Sequence, residues 1–222
     1  MLLAHHPEAW AQLRRPTREA PLRILVSGCL AAWPCGVAGD DNGLGALLAD
    51  LLRLPTVRAL PFCPEQLSLG TPRSLPDIHG GDGVDVWAGR ARVLDEHGVD
   101  LTEAMKAGAA AMLAFAQAEG AELAVLTDLS AACGSQVISD GCRLVAVRRH
   151  QKGVGVATAA LLAAGLPVLA QRDHRSLARL RAHLTGAAPV DDGLLDHDGL
   201  LDHHEHPWVR EHLPGPHPRA AG

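Results

Sequence analysis

The chain has 222 residues, a formal net charge of −5 and only 3% aromatic residues, with no tyrosine. That length suffices for one domain with a sizeable core plus an extension, and a core so poor in aromatics has to be built from Leu, Val and Ala. The acidic balance argues against general nucleic-acid binding, no apolar run reaches membrane-span length, and five cysteines outside any small secreted frame fit a reducing, cytoplasmic setting.

Residues 1–21 are polar, carry Glu8, Arg14, Arg15 and Glu19, and are broken by Pro7, Pro16 and Pro21. They read as an N-terminal extension with one short helix around Glu8–Leu13, not as a signal peptide. Leu22–Val26 is the first strand, and its unbroken apolar character suits a central parallel position. A loop with Cys29, Cys35 and Asp40–Asn42 follows, and the apolar spacing from Leu44 to Leu54 predicts a helix stopped by Pro55. Val57–Phe62 is the second strand, and Pro64 ends it because proline has no ladder donor.

Gln66 to Gly83 is rich in Gly, Pro and Ser and reads as a long ordered loop. Its Gly80–Gly83 run fits a turn that needs positive φ, or else a close backbone approach to a ligand. Asp100–Ala118 is the clearest helix: Asp100 and Glu103 resemble a capping box, Gly120 marks the stop, and Met105, Met112 and Phe115 share a core-facing side. Glu122–Leu126 is the next strand. Val137–Ser139 and Cys142–Val147 form short strands or a hairpin about Asp140-Gly141. A helix over Gly155–Ala164, a strand over Pro167–Ala170 and an amphipathic helix over Asp173–Leu184 complete the pattern. The alternation predicts a three-layer α/β domain over residues 22–185, with a mostly parallel sheet flanked by helices.

Beyond Gly186, two copies of D-G-L-L-D-H precede further histidines and prolines. Residues 186–222 read as a solvated His/Pro-rich C-terminal tail, with zinc or nickel binding as the alternative. Arg148, Arg149, His150 and Lys152 read as a solvated basic turn rather than a phosphate contact.

Cys29, Cys63 and Cys133 each follow an apparent strand end. In an open parallel sheet those ends line one crevice, so the three thiols can meet there as a soft-metal or iron–sulfur site. Three unrelated buried cysteines are the alternative, since no C-x-x-C pair is present.

Several motifs in order resemble the thiouracil desulfurase family over about residues 22–172. They are S-G-C-L-A-A-W-P-C (Ser27–Cys35), F-C-P-E-Q-L-S-L-G-T-P-R (Phe62–Arg73), G-G-D-G (Gly80–Gly83), A-R-V (Ala91–Val93), V-D-L-T-E-A-M (Val99–Met105), S-A-A-C-G-S (Ser130–Ser135) and G-V-A-T-A-A-L-L (Gly155–Leu162). The resemblance implies a 4Fe-4S cluster held by Cys29, Cys63 and Cys133, leaving one iron without a protein ligand. It also implies Glu65 as the base and Ser130 as the hydroxyl that orients water or substrate. The nearby non-functional roles are a first-turn helix glutamate for Glu65 and a turn cap for Ser130. The implied substrate is a small-molecule thiolated pyrimidine, base or nucleoside, with modified RNA left open; the implied products are sulfide and a carbonyl. Oligomeric state is not legible.

Cys35 is read as a non-ligand, and Cys142 as a small buried apolar residue. The chain departs from the family pattern at Gly36–Gly39, where an Arg-Tyr-Asp-Gly run is usual. It also departs at Thr127, which replaces a lysine, and at Ala131 and Ala132, which replace proline and serine. These changes alter the pocket wall and leave the implied ligands in place. The alternatives to an enzyme of this kind are a non-catalytic iron–sulfur or zinc-binding accessory or sensor protein, and a cysteine-nucleophile transferase.

Overall fold

A computed structural model describes residues 7–41, 46–142, 144–146 and 149–187. The first half of the chain forms α1 (Pro7–Gln12), β1 (Leu22–Ser27), α2 (Ala46–Leu52), β2 (Val57–Phe62), α3 (Pro64–Leu69), β3 (Asp77–His79), α4 (Gly83–Trp87) and β4 (Arg92–Leu94). The second half forms α5 (Thr102–Ala118), β5 (Leu123–Leu126), β6 (Val137–Ser139), β7 (His150–Lys152), α6 (Val156–Ala163), β8 (Val168–Ala170) and α7 (His174–Thr185). Asn42, Leu44 and Arg148, and nearly all of the expected tail, lie outside the described residues. No helix among the described residues is long and apolar enough to cross a membrane.

The main sheet has the order β2-β1-β5-β8, and every neighbouring pair is parallel. Alternation along the strands sends their side chains into two separate cores. Leu22, Ile24, Val26, Leu123 and Val125 pack with Trp10 of α1, Leu48 and Leu51 of α2, and Leu177 and Leu180 of α7. Leu25, Ala124 and Leu126 face the other side, against Met105 and Met112 of α5 and Val156 and Leu161 of α6. Helices therefore cover both faces, the three-layer arrangement that the sequence pattern predicts. From β1 the chain crosses to β2 on one side, and from β5 it crosses to β8 on the other. The loops leaving β1 and β5 diverge and open a crevice above the carboxyl ends of those strands.

Several local expectations are corrected. Residues 66–83 are not a continuous loop: α3 runs to Leu69, and Asp77–His79 pairs antiparallel with Arg92–Leu94. Gly80 does take positive φ (87°), whereas Gly83 has a packing reason, because a Cβ there would lie 2.3 Å from the Gly155 carbonyl oxygen. The capping box at Asp100 does not form. Asp100 accepts from Thr102 N (2.9 Å), the helix starts one residue later than that motif requires, and Glu103 pairs with Lys106. The partner of β6 is His150–Lys152, not Cys142–Val147. Asp140 N donates to Arg149 O, and Gly141 N reaches across to Ile78 O, so the chain leaves the ladder without a tight turn.

Candidate active site

The crevice is a cleft of about 440 Å³ whose walls include Cys29, Cys35, Cys63 and Cys133. Each arrives by a different local route. Cys29 sits on a single 3-10 turn directly after β1, buried with Gly28 and Leu30. Cys63 is the N-cap of α3: its sulfur accepts from Gln66 N at 3.4 Å, and Pro64 follows at the first helical position, where its missing N–H is no loss. Cys133 lies in the turn after β5, where its carbonyl accepts from Thr158 Oγ1 of α6 at 2.8 Å. Gly108 of α5 lets α3 come close, because a Cβ there would lie 2.3 Å from Pro64 O.

The thiols lie close enough to act on one another. Burial pushes the Cys133 thiol well above its ordinary value; a hydrogen bond from Ser27 opposes this, while Glu65, Cys29 and Cys63 add to the rise. Burial also raises Cys35, helped by its neighbours Cys63 and Cys29 and opposed by Arg73. Crowded thiols of this kind resist becoming thiolates until a positive centre sits among them. Among the described residues, no group of three or more His, Cys, Asp or Glu surrounds one point closely enough to hold a single ion.

Glu65 is in the first turn of α3 and faces the cleft. One carboxylate oxygen pairs with Arg73 Nη2, and the other accepts from Ser130 Oγ at 3.3 Å. Ser130 Oγ in turn accepts from Cys133 N (3.0 Å) and Ala132 N (3.2 Å). Ser130 is thus a turn cap and a partner of Glu65 at once, and Glu65 is both a helix-start residue and a cleft residue. Arg73 completes the wall: its Nη1 donates to Cys35 O (3.0 Å), Gly36 O (3.3 Å) and Gly70 O (3.2 Å). Its side chain is only 5% exposed, and that of Glu65 is 13% exposed.

The loop after β5 is held from several sides. Thr127 N donates to Ser27 Oγ (3.0 Å), Asp128 N to Gln171 Oε1 (2.6 Å), and Ser135 N to Asp128 Oδ1 (3.1 Å). Leu129 adopts φ 60°, a conformation uncommon outside glycine, directly before Ser130. The far wall includes His150 and Arg172, and the buried Nε of Arg172 has no hydrogen-bond partner among the described residues.

The structure therefore brings Cys29, Cys63, Cys133, Glu65 and Ser130 to one cleft. Cys35, read as a non-ligand, lies there too and is buried; Cys142 is half-buried in the β6–β7 connection, away from the cleft lining, rather than a core residue. Sequence reasoning missed the part played by Arg73, for which the only signal was the T-P-R that closes the second motif. It also read His150 as part of a solvated basic turn, whereas His150 stands on β7 and lines the cleft, and it passed over Arg172.

The 2-thiouracil desulfurase family matches residues 24–173. An uncharacterized protein of Bacillus subtilis (strain 168), YbbK, is 35% identical over 152 residues, which is 68% of this chain and 96% of that protein. The solved structure of a 4Fe-4S-dependent thiouracil desulfidase, TudS, superimposes with a TM-score of 0.59 at 32% identity. That superposition covers 72% of this chain and 97% of the other.

Proposed function

Because the chain belongs to the 2-thiouracil desulfurase family, we propose that it removes sulfur from a thiolated pyrimidine, a thiouracil-like base or nucleoside, releasing sulfide and leaving a carbonyl. The observation that carries this reading is the meeting of three cysteines from three separate strand ends with the Glu65–Ser130 pair in one cleft.

The donor set fits a 4Fe-4S cluster. Each thiolate of such a cluster binds its own iron, so the sulfurs need to ring a cavity rather than converge on one point about 2.3 Å away, as zinc thiolates do. Cys29, Cys63 and Cys133 would hold it. Held by three protein thiolates, such a cluster would supply one iron without a protein ligand, a Lewis acid suited to the soft sulfur of a thiocarbonyl.

The protein's own groups supply the rest. Net hydrolysis exchanges C=S and H₂O for C=O and H₂S, so the attacking water has to lose a proton. Glu65 takes it on the oxygen that faces Ser130, because Arg73 occupies the other. Ser130 fixes the direction of that oxygen, and its own position is fixed by two backbone N–H groups of the Cys133 turn. Base and thiol loop thereby form one connected unit, which preorganises the carboxylate before substrate arrives.

The test is an anaerobic preparation examined by ultraviolet–visible spectroscopy and assayed with 2-thiouracil and 4-thiouracil. A broad brown absorption with uracil and sulfide as products is expected. A colourless, zinc-containing protein that converts neither compound overturns the reading.

A further inference from the structure

Building on the cluster reading above, we propose that Thr127 is a hydrogen-bond donor to the Cys29 sulfur and sets how much electron density that ligand gives the cluster. Thr127 Oγ1 lies 3.0 Å from Cys29 Sγ. In the free protein either group can donate. Once Cys29 is a metal-bound thiolate it has no proton, so the hydroxyl alone can be the donor. The hydroxyl is well placed to stay there, because Thr127 follows β5 directly and its N–H is tied to Ser27 Oγ on the neighbouring strand at 3.0 Å.

A second proposed ligand shows the same pattern. Gln66 N donates to Cys63 Sγ at 3.4 Å. Cys29 and Cys63 therefore each have a protein group within hydrogen-bond reach of the sulfur, a side-chain hydroxyl and a backbone N–H.

Hydrogen bonds to ligand sulfurs and net charge near a cluster are main determinants of its potential. A donor at the thiolate draws charge from it, favours the more negative reduced cluster and leaves the irons more electron-poor. Removing it favours the oxidised form.

The experiment measures iron per chain and the midpoint potential of the cluster-loaded full chain for the parent, Thr127→Val and Thr127→Ser. Valine keeps the shape of threonine without the hydroxyl. The expected result is parental iron content in all three, a more negative potential for Thr127→Val, and a return toward the parental value for Thr127→Ser. An unchanged potential in a loaded Thr127→Val protein overturns the proposal. Should Thr127→Val hold no cluster, Thr127→Ser decides: a retained cluster at parental potential supports the hydroxyl, and loss in both variants assigns Thr127 to packing and overturns it. A parent that itself takes up no cluster overturns the proposed function, an outcome distinct from these.

Discussion

Two arginine–carboxylate pairs sit at opposite ends of the same parallel sheet and do different work. Before β5, at the amino end, Glu122 accepts from Arg14 Nη2 (2.7 Å) and from Arg23 N (3.0 Å), with the Arg14 and Glu122 side chains 40% and 24% exposed. Beyond the carboxyl end of β2, Glu65 pairs with Arg73 at 13% and 5% exposure. The outer pair ties the N-terminal segment to the domain through contacts that water and salt screen, which limits it to roughly 1 kcal/mol. The inner pair is desolvated. It adds little net stability over an apolar isostere, but breaking one partner leaves a poorly solvated charge, so it fixes geometry instead. One end of the sheet uses charge to fasten chain to chain, and the other uses it to aim a carboxylate.

The largest break in that comparison comes from the cysteines at the carboxyl end. Replacing Cys29, Cys63 or Cys133 by serine is expected to abolish bound iron, because oxygen is too hard a donor for the cluster; Cys142→Ser should retain it. Iron analysis that finds the cluster lost in Cys35→Ser but kept in Cys63→Ser reverses the ligand assignment.

Next comes the carboxylate itself. Glu65→Gln is expected to keep iron at the parental level and lose about 10²- to 10⁴-fold in turnover, the usual worth of a positioned base. Steady-state rates equal to the parent remove Glu65 from the mechanism.

Removing the inner guanidinium tests the fixing role. Arg73→Met is expected to cost about 3 kcal/mol in urea unfolding, at the low end for a broken buried pair because cleft water reaches Glu65. A change no larger than that of an exposed pair makes the two ends equivalent.

The smallest effect belongs to the outer pair. Burial pushes the Glu122 carboxyl up, but the bonds from Arg14 and Arg23 N and the two guanidinium charges outweigh this and leave it below its ordinary value of 4.5. A depressed folded value means that the stabilisation is complete above the unfolded value and fades as pH falls through the folded one. Glu122→Gln should therefore lose under about 1 kcal/mol at neutral pH and nothing in strong acid, as thermal melts across that window would reveal. A larger loss in acid than at neutrality contradicts this sign.

Much of the fold was legible locally. The apolar runs of β1, β2 and β5 and the spacing of α5 follow from backbone periodicity, and the glycine stop at Gly120 (φ 60°) is a local stereochemical need. Val137–Ser139 of β6 was legible too, but β3, β4 and β7 were not, because each has three residues and exists only through its partner. The same division runs through the site. Cys29, Cys63, Cys133, Glu65 and Ser130 stand in motifs that sequence order preserves, and their residue types already name the chemistry they can do.

What the amino-acid order settled by itself was therefore the alternation of strands and helices, the family and the inventory of reactive groups, since each depends on neighbours along the chain. Only the tertiary structure decided that β1 and β5 are adjacent, that Arg73 closes on Glu65, and that Thr127 meets Cys29 across 98 positions. Those contacts depend on strand order and crossover direction, which the whole core selects and no local stretch encodes.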